Sequence, residues 1–216
     1  MKKDDRKDLP IAVGLLAAFA LWTAAVRFVD VAPIGPRGSA VGFATANGFV
    51  HNLFGIHMSL YTVTDWLGLV PVGVGLGFAL LGLVQWVKRR QLGRVDYSLF
   101  VLGGFYIVVL VAYLYFETAV INYRPVLING YLEASYPSST TMLVLCVMPT
   151  AMMQLRTRIK HRALRRGIAV VITAFMVFMV GGRLVSGMHW LTDIVGGALL
   201  SAGLVMLYRW VSCLKE

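Results

Sequence analysis

The sequence predicts an all-α fold, a bundle of six transmembrane helices, and three observations predict it. The 216 residues are 58% hydrophobic and only 14% charged, a balance that suits a polytopic membrane protein rather than a soluble domain. Six apolar runs approach the roughly 20 residues that a helix needs to cross a bilayer. The basic residues gather in short clusters between those runs, which is how membrane orientation is written.

The charged residues 1–8, with Lys2, Lys3, Arg6 and Lys7, precede a first run at about 9–29. That run is longer than a signal-peptide core and has no clear small-residue cleavage site, so it reads as a retained span. Residues 30–64 form an outer loop rich in Gly, Ala, Ser and Asn, where Pro33 and Pro36 break any early helix. Within it, residues 41–55 place Phe43, Val50, Leu53 and Phe54 at a spacing that suits a helix lying on the membrane surface, capped by Ser39. A second span covers about 65–87 and stops at Lys88, Arg89 and Arg90, and a third covers about 97–116. The fourth, about 138–155, opens at Pro137-Ser138-Ser139-Thr140 and contains Pro149 as a kink point. A basic loop at 156–166 leads to a fifth span at 167–185, and the sixth is about 190–211. With no repeat and no soluble segment, residues 1–216 read as a single membrane domain.

Alternating the spans puts both termini and the loops 88–94 and 156–166 on one side. Those segments hold sixteen of the twenty Lys and Arg residues, so that side is cytoplasmic. Arg27, Arg37, Arg124 and Arg183 are left near the outer face. The net charge of +10 therefore encodes topology in the cell membrane and does not point to nucleic acid. Cys146 and Cys213 make no disulfide or metal framework, and without a zinc-like cluster no metal and no cofactor is implied.

The stretch Arg183-Leu-Val-Ser-Gly-Met-His189-Trp-Leu-Thr-Asp193 puts chemistry into this apolar frame. His189 and Asp193 are four apart, so on a helix they share a face. A carboxylate on one imidazole nitrogen fixes the tautomer and stabilises the cation formed when the other nitrogen attacks. By itself the pattern fits a hydrogen-bonded histidine at a helix end equally well. Arg183 and Arg124-Pro125 bring planar charges suited to phosphate oxygens, although interfacial snorkelling is the bland role for such arginines. The start of span four offers free backbone N–H groups beside the Ser138 and Ser139 hydroxyls, an anion site when it is more than an ordinary N-cap. A break at Gly187 lets Arg183 and His189, six residues apart, face one pocket. Three sequence-distant pieces thus converge at one depth, where ionisable groups are costly and usually functional. Together they make a phosphoryl-transfer site with a histidine nucleophile.

These residues resemble the motifs of the type-2 phosphatidic acid phosphatase superfamily, K-x6-R-P, P-S-G-H and S-R-x5-H-x3-D. Arg124-Pro125 matches the end of the first, Pro137-Ser138 the start of the second, and Arg183, His189 and Asp193 the third without its leading serine. The resemblance implies an α-helical bundle with an outward-facing site. It implies that His189 forms a phosphohistidine and Asp193 orients it. Arg124, Arg183 and the backbone near Ser138 and Ser139 would hold phosphate oxygens. The implied substrates are lipid phosphates and diphosphates, prenyl carriers included. The chain departs from the family at Glu117, in place of the first-motif lysine, and at Ser139 and Thr140, in place of glycine and the proton-donating histidine. A threonine hydroxyl is far too weak an acid for that task; His51 and His57 are the spare donors in the outer loop. The expectation is a lipid phosphate or diphosphate phosphatase favouring prenyl diphosphates, the alternative being a pseudoenzyme that binds phospholipid headgroups. A transporter ranks last, since no inverted repeat is visible.

Overall fold

The computed structural model describes residues 5–215. The tail residues Lys2 and Lys3 lie outside the described residues. Regular structure among those described is helical, with isolated β-bridges pairing Ala32 with Val41, Tyr123 with Ala134 and Ile128 with Tyr131. The α-helices are α1 (Asp5–Phe28), α2 (Ala44–Phe54), α3 (Met58–Leu67), α4 (Leu69–Arg89), α5 (Tyr97–Thr118), α6 (Ser139–Arg158), α7 (Arg162–Val185) and α8 (Leu191–Ser212).

Five helical stretches among the described residues are long and apolar enough to cross a membrane: Lys7–Phe28, Met58–Arg89, Tyr97–Thr118, Arg162–Val185 and Leu191–Ser212. The protein is a multi-pass membrane protein. Six spans were expected; α6 falls short on hydropathy because it carries Thr140, Thr141, Thr150, Gln154 and a basic last turn. Its surroundings explain the tolerance. Thr141, Met142, Val144, Cys146, Val147, Met148, Thr150 and Ala151 are all buried, so neighbours enclose this helix on every side. The helix runs on through Pro149, with the Thr150 hydroxyl donating to the Cys146 carbonyl at 2.8 Å.

α8 is the central pillar. In its apolar window 61% of residues are buried, against 6–22% in the other four candidate spans, which leave most of their surface for lipid. Small residues let neighbours come close, as a Cβ on Gly203 would press on Leu16 of α1 and one on Gly197 would press on Thr141 of α6. The main core joins Leu102 and Phe105 of α5, Met142 and Cys146 of α6, and Leu204 and Tyr208 of α8. A second cluster joins Val144 and Met148 of α6 to Ile172 and Met179 of α7.

The boundaries differ from expectation in instructive places. Helix begins at Met58, seven residues before the expected start at Asp65; the exposed Asp65 side chain pairs with the buried Arg183 instead of ending the helix. α2 starts after Phe43, which adopts a left-handed φ of 49°, so Ser39 does not cap it; Ser39 belongs to the preceding turn, where its N–H bonds the Pro36 carbonyl. α2 turns Phe49 and Leu53 outward and buries Asn47. α7 starts at Arg162, earlier than 167, with the His161 ring accepting from the Leu164 amide at 3.4 Å.

Candidate active site

α7 ends at Val185, and Gly187 reverses the chain with a φ of 68°. Any Cβ at Gly187 would collide with the Gly55 carbonyl, and the His57 amide bonds the Ser186 carbonyl at 3.0 Å. This turn is therefore locked against the segment that leads into α3. It also does what the six-residue spacing alone forbids, bringing Arg183 and His189 to one side. His189 stands two residues before α8 and Asp193 lies in its first turn. Asp193 Oδ2 accepts the Trp190 amide at 2.9 Å, closing the helix N-terminus, and lies 3.6 Å from His189 Nδ1. That is ion-pair range but longer than a hydrogen bond. Asn122 Nδ2 approaches Asp193 Oδ1 at 3.5 Å, and the Trp190 indole donates to the Tyr123 carbonyl at 2.7 Å. Histidine and aspartate are both buried.

On the other side of the imidazole, Arg124 Nη1 lies 3.3 Å from Nε2. A guanidinium only donates, so Nε2 accepts and Nδ1 carries the proton towards Asp193. Burial pushes the His189 imidazole down to about 4; the Asp193 carboxylate opposes this and the Arg124 and Arg183 charges reinforce it. At neutral pH the ring is uncharged with its lone pair on Nε2, the form a nucleophile needs. Arg124 is itself held by Glu133. Its N–H bonds the Glu133 carbonyl at 3.0 Å and its Nε lies 3.1 Å from Glu133 Oε2. The bridge between Tyr123 and Ala134 sets this pairing.

Arg183 is 2% exposed. Its Nη2 donates to Asp65 Oδ1 at 2.9 Å and also to the Thr140 hydroxyl. Its Nε and Nη1 are buried and have no partner. Unpaired donors on a buried guanidinium are expensive, and here both belong to the group best suited to bind phosphate. The Tyr61 ring lies against both arginines, 4.8 Å from Arg183 Cζ and 5.9 Å from Arg124 Cζ.

The start of α6 divides its backbone donors. The Ser138 amide is spent on the Asp193 carbonyl at 3.0 Å, and the Ser138 side chain caps the Thr141 amide at 3.5 Å. Ser138 thus ties α6 to α8. The Ser139 and Thr140 amides, first in the helix, keep no acceptor among the described residues. Ser139 also lines a narrow groove with Tyr113, Phe116, Glu117 and His189. Glu117 is exposed in the last turn of α5 and makes no ion pair among the described residues. The His51 ring packs 5.5 Å from that of Trp190, while the His57 ring bonds the Phe54 carbonyl at 2.8 Å. Tyr61, Asp65, Asn122 and Glu133 were not singled out from the sequence. The only signal for Asp65 was a carboxylate at the outer end of a span, and for Glu133 its place in the same short loop as Arg124.

The PAP2 superfamily model matches residues 102–214, just over half of the chain. The chain belongs to the PAP2 superfamily. Its fold resembles the crystal structure of a transmembrane PAP2-type phosphatidylglycerolphosphate phosphatase from Bacillus subtilis, with a TM-score of 0.50 at 19% identity, over 92% of this chain and 94% of that one. No curated protein matches the chain. The PAP2 segment holds Arg124, Ser138, Arg183, His189 and Asp193, whereas Tyr61 and Asp65 come from outside it.

Proposed function

We propose that this PAP2 protein is a phosphatase of lipid phosphates and diphosphates, working through a phosphohistidine on His189 at the outer membrane face. The observation that carries the reading is the pairing of a neutral His189, its Nε2 lone pair met by Arg124 Nη1 at 3.3 Å, with a buried Arg183 that has two unpartnered N–H groups. The Bacillus neighbour is a phosphatidylglycerolphosphate phosphatase, and its substrate is likewise a lipid phosphate.

In this reading the phosphoryl oxygens accept from Arg183 Nε and Nη1 and from the Ser139 and Thr140 amides. Arg124 leaves Nε2 for a phosphoryl oxygen and uncovers the lone pair. Nε2 attacks phosphorus, the bond to the leaving oxygen breaks, and that oxygen departs with the electron pair. The phosphorylated imidazole is then cationic, with Nδ1–H directed at Asp193. Water attacks phosphorus, the P–N bond breaks, its electrons return to Nε2, and inorganic phosphate leaves. A monoester releases an alkoxide that needs a proton, and Thr140 is a poor donor whose hydroxyl already accepts from Arg183. A diphosphate releases a phosphate monoester, whose second pKa of about 6 lets it go unaided. Diphosphates are therefore favoured, and prenyl diphosphates are the lipid class that the family resemblance implies.

The charge distribution supports six spans with cytoplasmic termini, α6 being the enclosed one. Thr140 and Glu117 favour a second reading, headgroup binding without turnover. Phosphate release from prenyl diphosphate, phosphatidylglycerolphosphate and phosphatidic acid by the purified protein separates the two. Wild type should turn over, His189→Ala should not, and rapid quench should trap phosphate on His189. Asp193→Asn should lose about 10²-fold or more in rate while still binding phosphate. Undiminished turnover by His189→Ala overturns the mechanism, and a wild type that binds phosphate but releases none leaves the binding reading.

A further inference from the structure

The PAP2 match begins inside α5 and leaves α3 outside it, yet α3 touches the candidate site at three successive points. Thr64 is fully buried and packs on Gly182 so closely that a Cβ there would lie 2.8 Å from its methyl group. Asp65 takes Nη2 of Arg183 at 2.9 Å. Tyr61, one turn earlier on the same face, lies against both guanidinium groups. Gly68, next after α3, lies against the Thr140 methyl. Gly182 and Thr140 are also positions where the chain departs from the serine and histidine of the family motifs, and at Gly182 the Thr64 methyl leaves no room for a side chain.

The electrostatics give this packing a purpose. Two guanidiniums converge on one anion site and repel each other while it is empty. The Asp65 carboxylate offsets one charge, and the face of the Tyr61 ring attracts both. Asp65 and Thr140 together use Nη2, which leaves Nε and Nη1 of Arg183 buried and unpaired.

We propose that Tyr61 and Asp65 are positioning residues of the phosphate clamp, fixing Arg183 directly and Arg124 through the shared ring. This rests on the phosphate-binding reading of the site. The rival is a placeholder role, in which the Asp65 carboxylate merely fills the site until phosphate displaces it. The two differ in sign, because removing a placeholder charge tightens phosphate binding and removing a positioning charge weakens it.

The test is titration of the full-length protein in detergent with inorganic phosphate, which needs no turnover, alongside kcat and KM for a prenyl diphosphate. Asp65→Asn should weaken phosphate about tenfold, the scale of one charge-assisted contact, with partial recovery in Asp65→Glu. Tyr61→Leu should weaken it about threefold, and Tyr61→Phe, which keeps the ring, should recover most of that loss. Thermal unfolding of each variant checks that it is folded, and the two conservative variants carry the test if Asp65→Asn or Tyr61→Leu does not fold. Unchanged or tighter phosphate binding in Asp65→Asn, or no recovery in the conservative variants, overturns the proposal. A wild type that binds phosphate without turnover sinks the hydrolase reading alone, and one that binds no phosphate sinks both.

Discussion

Arg124 is held by Glu133 through two contacts, one from its backbone N–H to the Glu133 carbonyl at 3.0 Å and one from Nε to Oε2 at 3.1 Å. Glu117, seven residues before Arg124, instead lines the groove that leads to His189. The two carboxylates therefore differ in their consequences for phosphate release. Glu133→Gln should lower kcat/KM about five- to tenfold, as expected for a partly exposed ion pair that also aims a functional group. Glu117→Gln should change it less than twofold, or raise it slightly, since a negative charge near the incoming phosphate is removed. Steady-state kinetics on one diphosphate substrate checks both, and the reverse ranking would reassign the partner of Arg124.

The buried imidazole sets a pH dependence of stability. Folded His189 titrates at about 4, whereas an unfolded histidine titrates near 6.5. Between those values the unfolded chain binds more protons, so this contribution to stability is complete above about pH 6.5 and is lost as the pH falls towards 4. Burial lowers His51 as well, which acts in the same direction. The unfolding temperature in detergent should drop between pH 7 and pH 5, and His189→Asn should flatten part of that drop. An unfolding temperature that rises on acidification would mean that His189 is charged in the fold.

Topology is open to a labelling test. Asn129→Cys, in the loop between α5 and α6, should react with an impermeant thiol reagent applied to intact cells. Arg162→Cys, at the start of α7, should react only after the membrane is opened. The opposite pattern would invert the site to the cytoplasmic face, against sixteen basic residues.

Leaving-group chemistry predicts the substrate ranking. Wild type should cleave a prenyl diphosphate faster than the matched monophosphate. Thr140→His, combined with Ser139→Gly, should raise monoester activity more than diphosphate activity, by about 10²-fold if the new imidazole donates its proton in line. Equal wild-type rates on the two substrates would remove the leaving-group argument.

Sequence alone made the helical, membrane-crossing character legible, because hydropathy is additive along the chain. His189 and Asp193 were legible because their spacing is local to one helix start. Arg124 and Arg183 stood out as charges in apolar surroundings. What lay hidden were relations across the bundle. Asp65 looks like a boundary until Arg183, 118 residues away, is seen to neutralise it. Ser138 looks like a phosphate ligand until its amide is found on the Asp193 carbonyl. The run at 138–155 reads as a span, yet α6 is less apolar than the five candidate spans, and hydropathy does not register that its neighbours bury most of it.

α3 and α4 form one continuous apolar stretch of 32 residues. The 21 residues of α4 rise about 31 Å, already the roughly 30 Å of a bilayer's hydrocarbon layer. α4 alone is thus long enough to fill that layer, and on the outward-facing reading α3, with Tyr61 and Asp65, would stand above it. Acyl-chain length becomes a variable of the reaction: a thinner bilayer tilts the α3–α4 rod and a thicker one draws it upright and sinks its tip towards the headgroups. Activity reconstituted in short-chain and long-chain phosphatidylcholine vesicles should pass through a maximum, and the membrane's own thickness would then act as an effector of the site.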